Sequence, residues 1–157
     1  GPQPGLLGEV AAMHGRYYGE HWNFPVAFEC KVAREMAEFF ARYDATRDLL
    51  LGLTNAGRFS ASISLDGSDP TLASGEAHLR WFVVDEALQG KGVGRRLIGD
   101  AVAFARLAGF RSIYLTTFRG LDAAASLYRN AGFRVVDERS GVSWGRPVME
   151  QRMELLL

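Results

Sequence analysis

Apolar residues recur at two spacings along the chain, which separate helical from extended segments. In the first 45 residues apolar positions repeat every three or four residues in two stretches, divided near 23–25. The stretches contain Leu6, Val10, Met13 and Tyr17, then Phe28, Val32, Met36, Phe39 and Tyr43. This spacing predicts two amphipathic helices, with Lys31/Glu35 and Arg34/Glu38 as i,i+4 pairs on the outer face of the second.

Shorter apolar runs bounded by turn residues follow, and these are typical of strands. The sequence Asn55-Ala56-Gly57 divides two such runs and predicts a hairpin. Predicted strands cover 48–54, 58–65, 76–84, 111–117, 133–137 and 148–156, and two further helices cover 93–108 and 121–131. Gly109 and Gly132 are suited to end those helices. Strands joined by crossover helices predict a layered α/β fold around a mixed sheet.

Composition and charge narrow the classes of function. A length of 157 residues fits one domain, and equal numbers of basic and acidic residues, 18 each, argue against generic nucleic-acid binding. The single cysteine, Cys30, is expected to be buried and to pack as a small hydrophobic residue. The three histidines lack the paired spacing of metal ligands. We find no membrane segment or signal peptide and expect a cytosolic protein. Residues 1–5 contain no initiating Met, and we expect this segment to be a cleavage scar or a truncated N-terminus.

The most informative segment is the junction between the third strand and the helix that follows it. Glycines at 90, 92 and 94 allow a ligand to approach the backbone, while the first-turn N–H groups of the helix point outward. With the helix dipole, Lys91, Arg95 and Arg96, they predict a cradle for a pyrophosphate. The segment matches neither a Walker loop nor the dinucleotide fingerprint. The alternative is a glycine-rich turn whose basic residues only face solvent.

Two motifs resemble the GCN5-related N-acetyltransferases (GNAT family). Gln89-x-x-Gly92-x-Gly94, after a strand ending Val83-Val84-Asp85, looks like the acetyl-CoA signature of that family. The second match, Ala124-x-x-Leu127-Tyr128-x-x-Ala131-Gly132-Phe133, is similar to its late helix. The order of predicted elements also fits from about residue 6 onward, except that the family's opening strand is missing.

The resemblance implies roles for particular residues, with acetyl-CoA as cofactor and no metal. Backbone groups of Val83 and Val84 would bind the pantetheine arm and polarise the thioester carbonyl. The pyrophosphate would be held by the residues from 89 to 95: Gln89, Gly90, Lys91, Gly92, Val93, Gly94 and Arg95. Tyr128 would protonate the departing thiolate, although it could instead be a core aromatic. The family often has Asn where this chain has Leu121, and the neighbouring Asp122 could cap the helix.

A primary amine has a pKa of about 10.4 and is mostly protonated at neutral pH, so it must lose a proton before it can accept an acetyl group. Alternation along the third strand places Ala77, Leu79, Trp81 and Val83 on one face, with Glu76, His78 and Arg80 on the other. Glu76 or His78 is the predicted base, and Arg80 the predicted organiser or anion contact. The alternative is a structural polar cluster that satisfies itself beneath a helix.

Acceptor recognition is expected from the first two helices and the closing strands, which flank the sheet in this family. The predicted contacts include Glu29, Trp22 and Thr117, with aromatic residues such as Tyr18, Phe24, Phe28, Phe118 and Trp144. The acceptor would be a small-molecule or peptide amine, and a homodimer is compatible with the family. The chain also resembles the acetyltransferase half of bacterial fusions with a MarR-type regulator. A non-catalytic acyl-CoA sensor that regulates such a partner is therefore the alternative function.

Overall fold

A computed structural model describes all residues 1–157 of the chain and contains four helices and six strands. The helices are α1 (Leu6–Trp22), α2 (Val26–Ala41), α3 (Val93–Leu107) and α4 (Asp122–Asn130). The strands are β1 (Leu49–Asn55), β2 (Arg58–Asp66), β3 (Glu76–Val84), β4 (Ser112–Phe118), β5 (Arg134–Gly141) and β6 (Val148–Leu156). No helix combines the length and apolarity needed to cross a membrane.

The strands form one mixed sheet in the order β1-β2-β3-β4-β6-β5, in which only the β3–β4 pair is parallel. Helices α3 and α4 cover one face, where Leu97, Ile98 and Tyr128 join a core with Ile63 and Leu115. Helices α1 and α2 cover part of the other face, around a second core of residues that include Val10, Met36, Phe39 and Leu50. The predicted layered fold, a mostly antiparallel sheet flanked by helices, is confirmed.

Strand and helix boundaries agree closely with the sequence predictions, with one exception. Strand β5 continues to Gly141, four residues beyond its predicted end. The added residues, 138–141, contain no apolar side chain and become a strand by pairing with the first residues of β6. Pairing across the sheet, which the local sequence does not encode, therefore sets this boundary.

The predicted alternation along β3 is wrong beyond Arg80 because a β-bulge interrupts it. Trp81 adopts a left-handed backbone conformation (φ 47°), and the β2–β3 register shifts between Ser62 and Ser64. Ala77 and Leu79 pack on the α3 side, as predicted, but the Trp81 ring lies against Phe39 of α2, 5.4 Å between centroids. The serine hydroxyls donate to the carbonyl oxygens at the bulge, from Ser62 to Trp81 (2.7 Å) and from Ser64 to Arg80 (2.9 Å).

Strands β3 and β4 pair over only three residues and then diverge. Their register ends at His78 opposite Tyr114, so the rest of β3 has no strand neighbour on that side. An opening therefore runs between the two strands toward their carboxyl ends. Backbone groups along the free edge of β3 are available to a ligand, as at any unpaired strand edge.

Three smaller predictions are also corrected by the structure. Cys30 is exposed, because it lies on the side of α2 away from the core. Asp122 is the first residue of α4 and does not cap it; Leu121 occupies the N-cap position without a side-chain bond. The Lys31–Glu35 pair exists, but Glu35 also binds Arg80 on β3, so the pair faces the sheet instead of solvent.

Candidate active site

The larger of two adjoining cavities is a groove of about 760 Å³ beside the free edge of β3. Its walls come from the end of α1, the end of β3, the loop before α3 and the start of α4. Most of the predicted cofactor contacts line it: Val83, Val84, Gln89, Gly90, Gly92, Val93, Gly94 and Arg95. Lys91 is exposed and is not part of the lining.

The loop before α3 has the conformation expected for binding an anion. Gly90 (φ 74°) and Gly92 (φ 80°) are both left-handed, and a Cβ at either position would meet no atom within 4 Å. Gly92 is the N-cap of α3 and provides no side-chain acceptor, so the first-turn N–H groups remain free. Free N–H groups at a helix N-terminus favour phosphate oxygens.

Two side-chain contacts fix this loop against the rest of the fold. The Gln89 Nε2 atom donates to the Val84 carbonyl oxygen (3.2 Å), which ties the loop to the end of β3. His21 Nε2 of α1 lies 2.7 Å from Glu86 Oε1 at the entrance to the loop. Gly94 has a packing role, since a Cβ there would lie 2.9 Å from Leu127 Cδ1 of α4. The groove is therefore held in shape before any ligand binds.

The smaller cavity, about 380 Å³, opens on the α1/α2 side of the sheet. Aromatic side chains dominate its walls: Tyr18, Phe24, Phe28, Phe118 and Trp144. Thr117, a predicted acceptor contact, also lines it. Tyr18, Phe82, Leu121 and Ala124 line both cavities, so the groove and the smaller cavity meet at a common wall.

Tyr128 lies in the wall of the smaller cavity, close to this junction. It belongs to α4, is 7% exposed and packs against Phe82 and Phe133, with ring centroids 5.8 and 6.0 Å away. Its hydroxyl makes no hydrogen bond within the protein. Burial raises the pKa of this phenol well above its ordinary value, with a further contribution from Tyr18. Tyr128 is therefore protonated at neutral pH and can act as a proton donor.

The polar side chains of β3 share one face, as predicted, but only two of them reach a cavity. His78 and Arg80 line the smaller cavity, whereas Glu76 is held by Arg152 (2.8 Å) outside both. The His78 ring stacks on Tyr114, 4.1 Å between centroids. Desolvation, followed by the charges of Arg80 and Arg152, places the pKa of His78 well below its ordinary value. The ring is therefore neutral at pH 7.

Arg80 is engaged by protein carboxylates. Its guanidinium binds Glu35 and lies 3.4 Å from Asp66, and it also stacks over the Trp81 ring at 4.3 Å. Asp66 in turn accepts two bonds from Arg42, each 2.6 Å long. Arg80 thus belongs to a structural polar cluster of the kind expected as the alternative to a role in the active site.

Two predicted acceptor contacts lie elsewhere. Trp22 lines the groove and not the smaller cavity, because its ring fills the space above Gly120. Glu29 lines neither cavity and packs against Gly15 of α1, where a Cβ would lie 2.7 Å from its Oε2 atom. The position of Glu29 beside the apolar stripe of α2 does not determine which neighbouring element its side chain contacts.

Sequence reasoning did not select three polar residues that line the smaller cavity: His14, Glu35 and Glu150. The helical pattern predicts Glu35 on the solvent face of α2, and the spacing of His14 indicates no metal site. Glu150 is one of three alternating charged residues on β6, a pattern that equally fits a solvated strand face. No sequence signal identifies it, since burial there depends on neighbouring elements.

His14 predicts a specific dependence of stability on pH. Its Nδ1 atom lies 2.8 Å from the Val10 carbonyl oxygen, and burial lowers its pKa from 6.5 to about 4. The unfolded chain binds this proton below pH 6.5 and the folded chain does not, so stability decreases as pH falls. We expect a loss of about 2–3 kcal/mol from His14 between pH 7 and pH 4.5, measured by chemical denaturation.

A His14→Gln variant should show a shallower decrease over that range, whereas His21→Gln, at a more exposed histidine, should keep the wild-type slope. An unchanged slope in His14→Gln would contradict the assignment.

The mixed sheet that opens between β3 and β4, with a glycine-rich anion loop at its edge, defines an acyltransferase type of fold. The acetyltransferase (GNAT) family model matches residues 13–133. The chain therefore belongs to the GNAT acetyltransferase family.

Individual relatives agree with this assignment. The N-alpha-acetyltransferase RimI of Mycobacterium tuberculosis is 37% identical over 115 residues, which is 73% of this chain and 63% of RimI. The ribosomal-protein-alanine N-acetyltransferase of Brucella melitensis has a TM-score of 0.76 at 16% identity, covering 99% of this chain and 97% of that one. The protein yncA of Salmonella typhimurium, solved with its cofactor acetyl-CoA, has a TM-score of 0.65 at 24% identity, covering 80% of this chain and 73% of that one.

The chain spans 34% and 63% of the lengths of the two curated relatives it matches. No group of three metal-ligating side chains is present in the structure.

Proposed function

We propose that this chain is an N-acetyltransferase that moves the acetyl group of acetyl-CoA to a primary amine while both substrates are bound. The observation that carries the proposal is the wall shared by the groove and the smaller cavity. A thioester reaching the end of the groove would meet an amine in the smaller cavity there. Direct transfer requires this proximity, which supplies much of the rate enhancement of a bimolecular reaction.

The groove fits acetyl-CoA by its donors and its open glycines. The first-turn N–H groups of α3 and the side chain of Arg95 would hold the pyrophosphate. The free edge of β3 near Val83 and Val84 would pair with the amide groups of the pantetheine arm. Acetyl-CoA supplies an activated acetyl group, and its transfer forms an amide bond and releases the thiol.

Tyr128 is the proposed general acid. The C–S bond breaks as the new C–N bond forms, and the sulfur leaves with an electron pair and needs a proton. The phenol of Tyr128, which is protonated at neutral pH, supplies that proton as the thiolate develops. The nitrogen loses a further proton as the amide forms, and this proton returns to Tyr128 through water in the cavity.

The acceptor enters mostly as an ammonium ion and must lose one proton before it can attack. Glu76 is tied to Arg152 away from both cavities, which disfavours it as the base. Neutral His78 lines the cavity and can accept a hydrogen bond from the water that takes this proton. We therefore assign His78 to orienting a water relay.

Thiol release from acetyl-CoA, measured with a panel of amines and peptides, tests the proposal. Turnover that depends on both acetyl-CoA and a primary amine is expected, with the acetylated product confirmed by mass spectrometry. Tight binding of CoA without turnover for any acceptor would overturn the catalytic proposal and favour an acyl-CoA-sensing module.

Arg95→Gln is expected to weaken CoA binding about ten- to hundredfold, because a charged hydrogen bond contributes roughly 1.5–3 kcal/mol. Isothermal titration calorimetry at low ionic strength would measure this change. Arg96→Gln is the matched control, since the neighbouring Arg96 side chain is 85% exposed, contacts Asp100 and does not line the groove. Equal loss of affinity in both variants would show that only overall charge matters.

A further inference from the structure

Glu150 is a buried carboxylate without a partner in the wall of the smaller cavity. It lies on β6, is 8% exposed and takes part in no hydrogen bond or ion pair. Its carboxylate lies directly over Gly141 of β5, where the Cβ of any other residue would overlap it. Its oxygens are accessible from the cavity, because no fully buried side-chain oxygen of this protein lacks a hydrogen-bond partner. A carboxylate that lines a cavity and has no protein partner is suited to bind a cationic ligand.

The charged side chains around the cavity do not pair with Glu150. Glu35, the other carboxylate of the cavity, is occupied by Lys31 and Arg80. Arg139 is opposite Glu150 in the β5–β6 register and also lines the cavity, but its side chain is exposed and forms no ion pair with Glu150. The Glu150 carboxylate is therefore available to bind a cationic group inside the cavity.

The surroundings of Glu150 are apolar and aromatic. Phe118 lies directly opposite it in the β4–β6 register, which places both side chains on the same face of the sheet. Trp144 packs on Phe118 with ring centroids 5.5 Å apart, and Phe24 lies 5.4 Å from the same ring. A volume of about 380 Å³ lies within the range of small-ligand sites.

We propose that Glu150 binds the ammonium group of the acceptor, and that this acceptor is a primary amine with a single positive charge beside a compact apolar group. This inference rests on the proposed N-acetyltransferase function and specifies its substrate class. One free carboxylate matches one ammonium, and the rings accept the apolar group. A polyamine would place its further charges against Phe118 and Trp144 or near Lys31, Arg80 and Arg139, the cationic side chains that also line the cavity. The same chemistry is found in a free monoamine and in the first residue of a peptide.

Binding of 2-phenylethylamine in the presence of saturating CoA tests the proposal by calorimetry, without any need for turnover. Glu150→Gln keeps the shape of the side chain and removes its charge, and we expect a ten- to hundredfold lower amine affinity with unchanged CoA affinity. Glu150→Asp should retain part of the affinity. Glu154→Gln is the matched control, because Glu154 lies on the same face of β6, binds Arg152 and does not line the cavity.

A peptide with N-terminal phenylalanine, its N-acetylated form and spermidine complete the experiment. Preference for the free-amine peptide over 2-phenylethylamine would identify a peptide N-terminus as the source, and the reverse would identify a free monoamine. The proposal would be overturned if Glu150→Gln bound both probes as tightly as wild type, or if spermidine bound more tightly than either.

Failure of the inference can be separated from failure of the proposed function. Acetylation of 2-phenylethylamine with equal kcat/KM in wild type and Glu150→Gln would overturn the role of Glu150 and leave the enzyme assignment intact. Amine binding that depends on Glu150, with no thiol release from acetyl-CoA, would support the binding site and overturn the catalytic proposal. If Glu150→Gln does not fold, the Glu150→Asp and Glu154→Gln comparison decides between these outcomes.

Discussion

Tyr128→Phe is expected to lower kcat at least about a hundredfold while leaving the KM for acetyl-CoA within about twofold of wild type. General acid catalysis commonly contributes roughly 10²–10⁴ in rate, and the leaving thiolate would lose its proposed proton donor. The effect should appear in kcat and kcat/KM alike, because the proton is needed as the C–S bond breaks. Steady-state kinetics with saturating acceptor, followed by thiol release, measure it.

The variant should remain folded, because the Tyr128 hydroxyl makes no hydrogen bond within the protein and the ring stays in the core. Tyr114→Phe is the matched control, since Tyr114 stacks on His78 but lies outside both cavities. Wild-type turnover in Tyr128→Phe at saturating substrates would refute the assignment. An equal decrease in both variants would indicate that the two phenols act only through packing.

Arg42→Met is expected to destabilise the fold by about 3–5 kcal/mol, because it leaves the Asp66 carboxylate buried with a single weaker partner. The Asp66 side chain is 0% exposed and accepts two bonds of 2.6 Å from Arg42, whereas Arg80 is 3.4 Å away. For a chain of this size the loss corresponds to a decrease in Tm of at least about 6 °C. Differential scanning calorimetry at pH 7 measures the change.

Replacing the partner tests the cause of that loss. Arg42→Met combined with Asp66→Asn should recover part of the stability, because the second change removes the stranded charge. Arg106→Met, at an exposed arginine in the last turn of α3, should change Tm little. A double variant no more stable than Arg42→Met alone would show that packing, not charge, is the main contribution.

Features that depend on local chemistry were predictable from the sequence. The glycines at 90 and 92 predict a loop whose backbone a ligand can approach, and both adopt the left-handed conformation that glycine permits. The stripe of Phe28, Val32, Met36 and Phe39 is the buried face of α2, as its spacing predicts. These signals are carried by neighbouring residues, so a single sequence contains them in full.

Features that depend on pairing between distant residues were not predictable. The bulge at Trp81 arises where β2 and β3 shift register, and period-two alternation contains no sign of the extra residue. Glu35 and Glu150 resemble ordinary surface glutamates in their own segments. Their burial follows from the position of Arg80 on β3 and of Phe118 on β4, which only the folded chain brings near.

The two cavities beside the opening between β3 and β4 are lined by largely different parts of the chain. Strands β5 and β6 and the loop between them contribute residues to the smaller cavity, among them Arg139, Trp144 and Glu150, and none to the groove. The loop from 89 to 95 lines only the groove. Under the proposed function, substitutions in β5, β6 and the loop between them would alter acceptor choice without touching the residues proposed to hold the acyl donor. An enzyme built in this way would be able to acquire new amine substrates while keeping one donor.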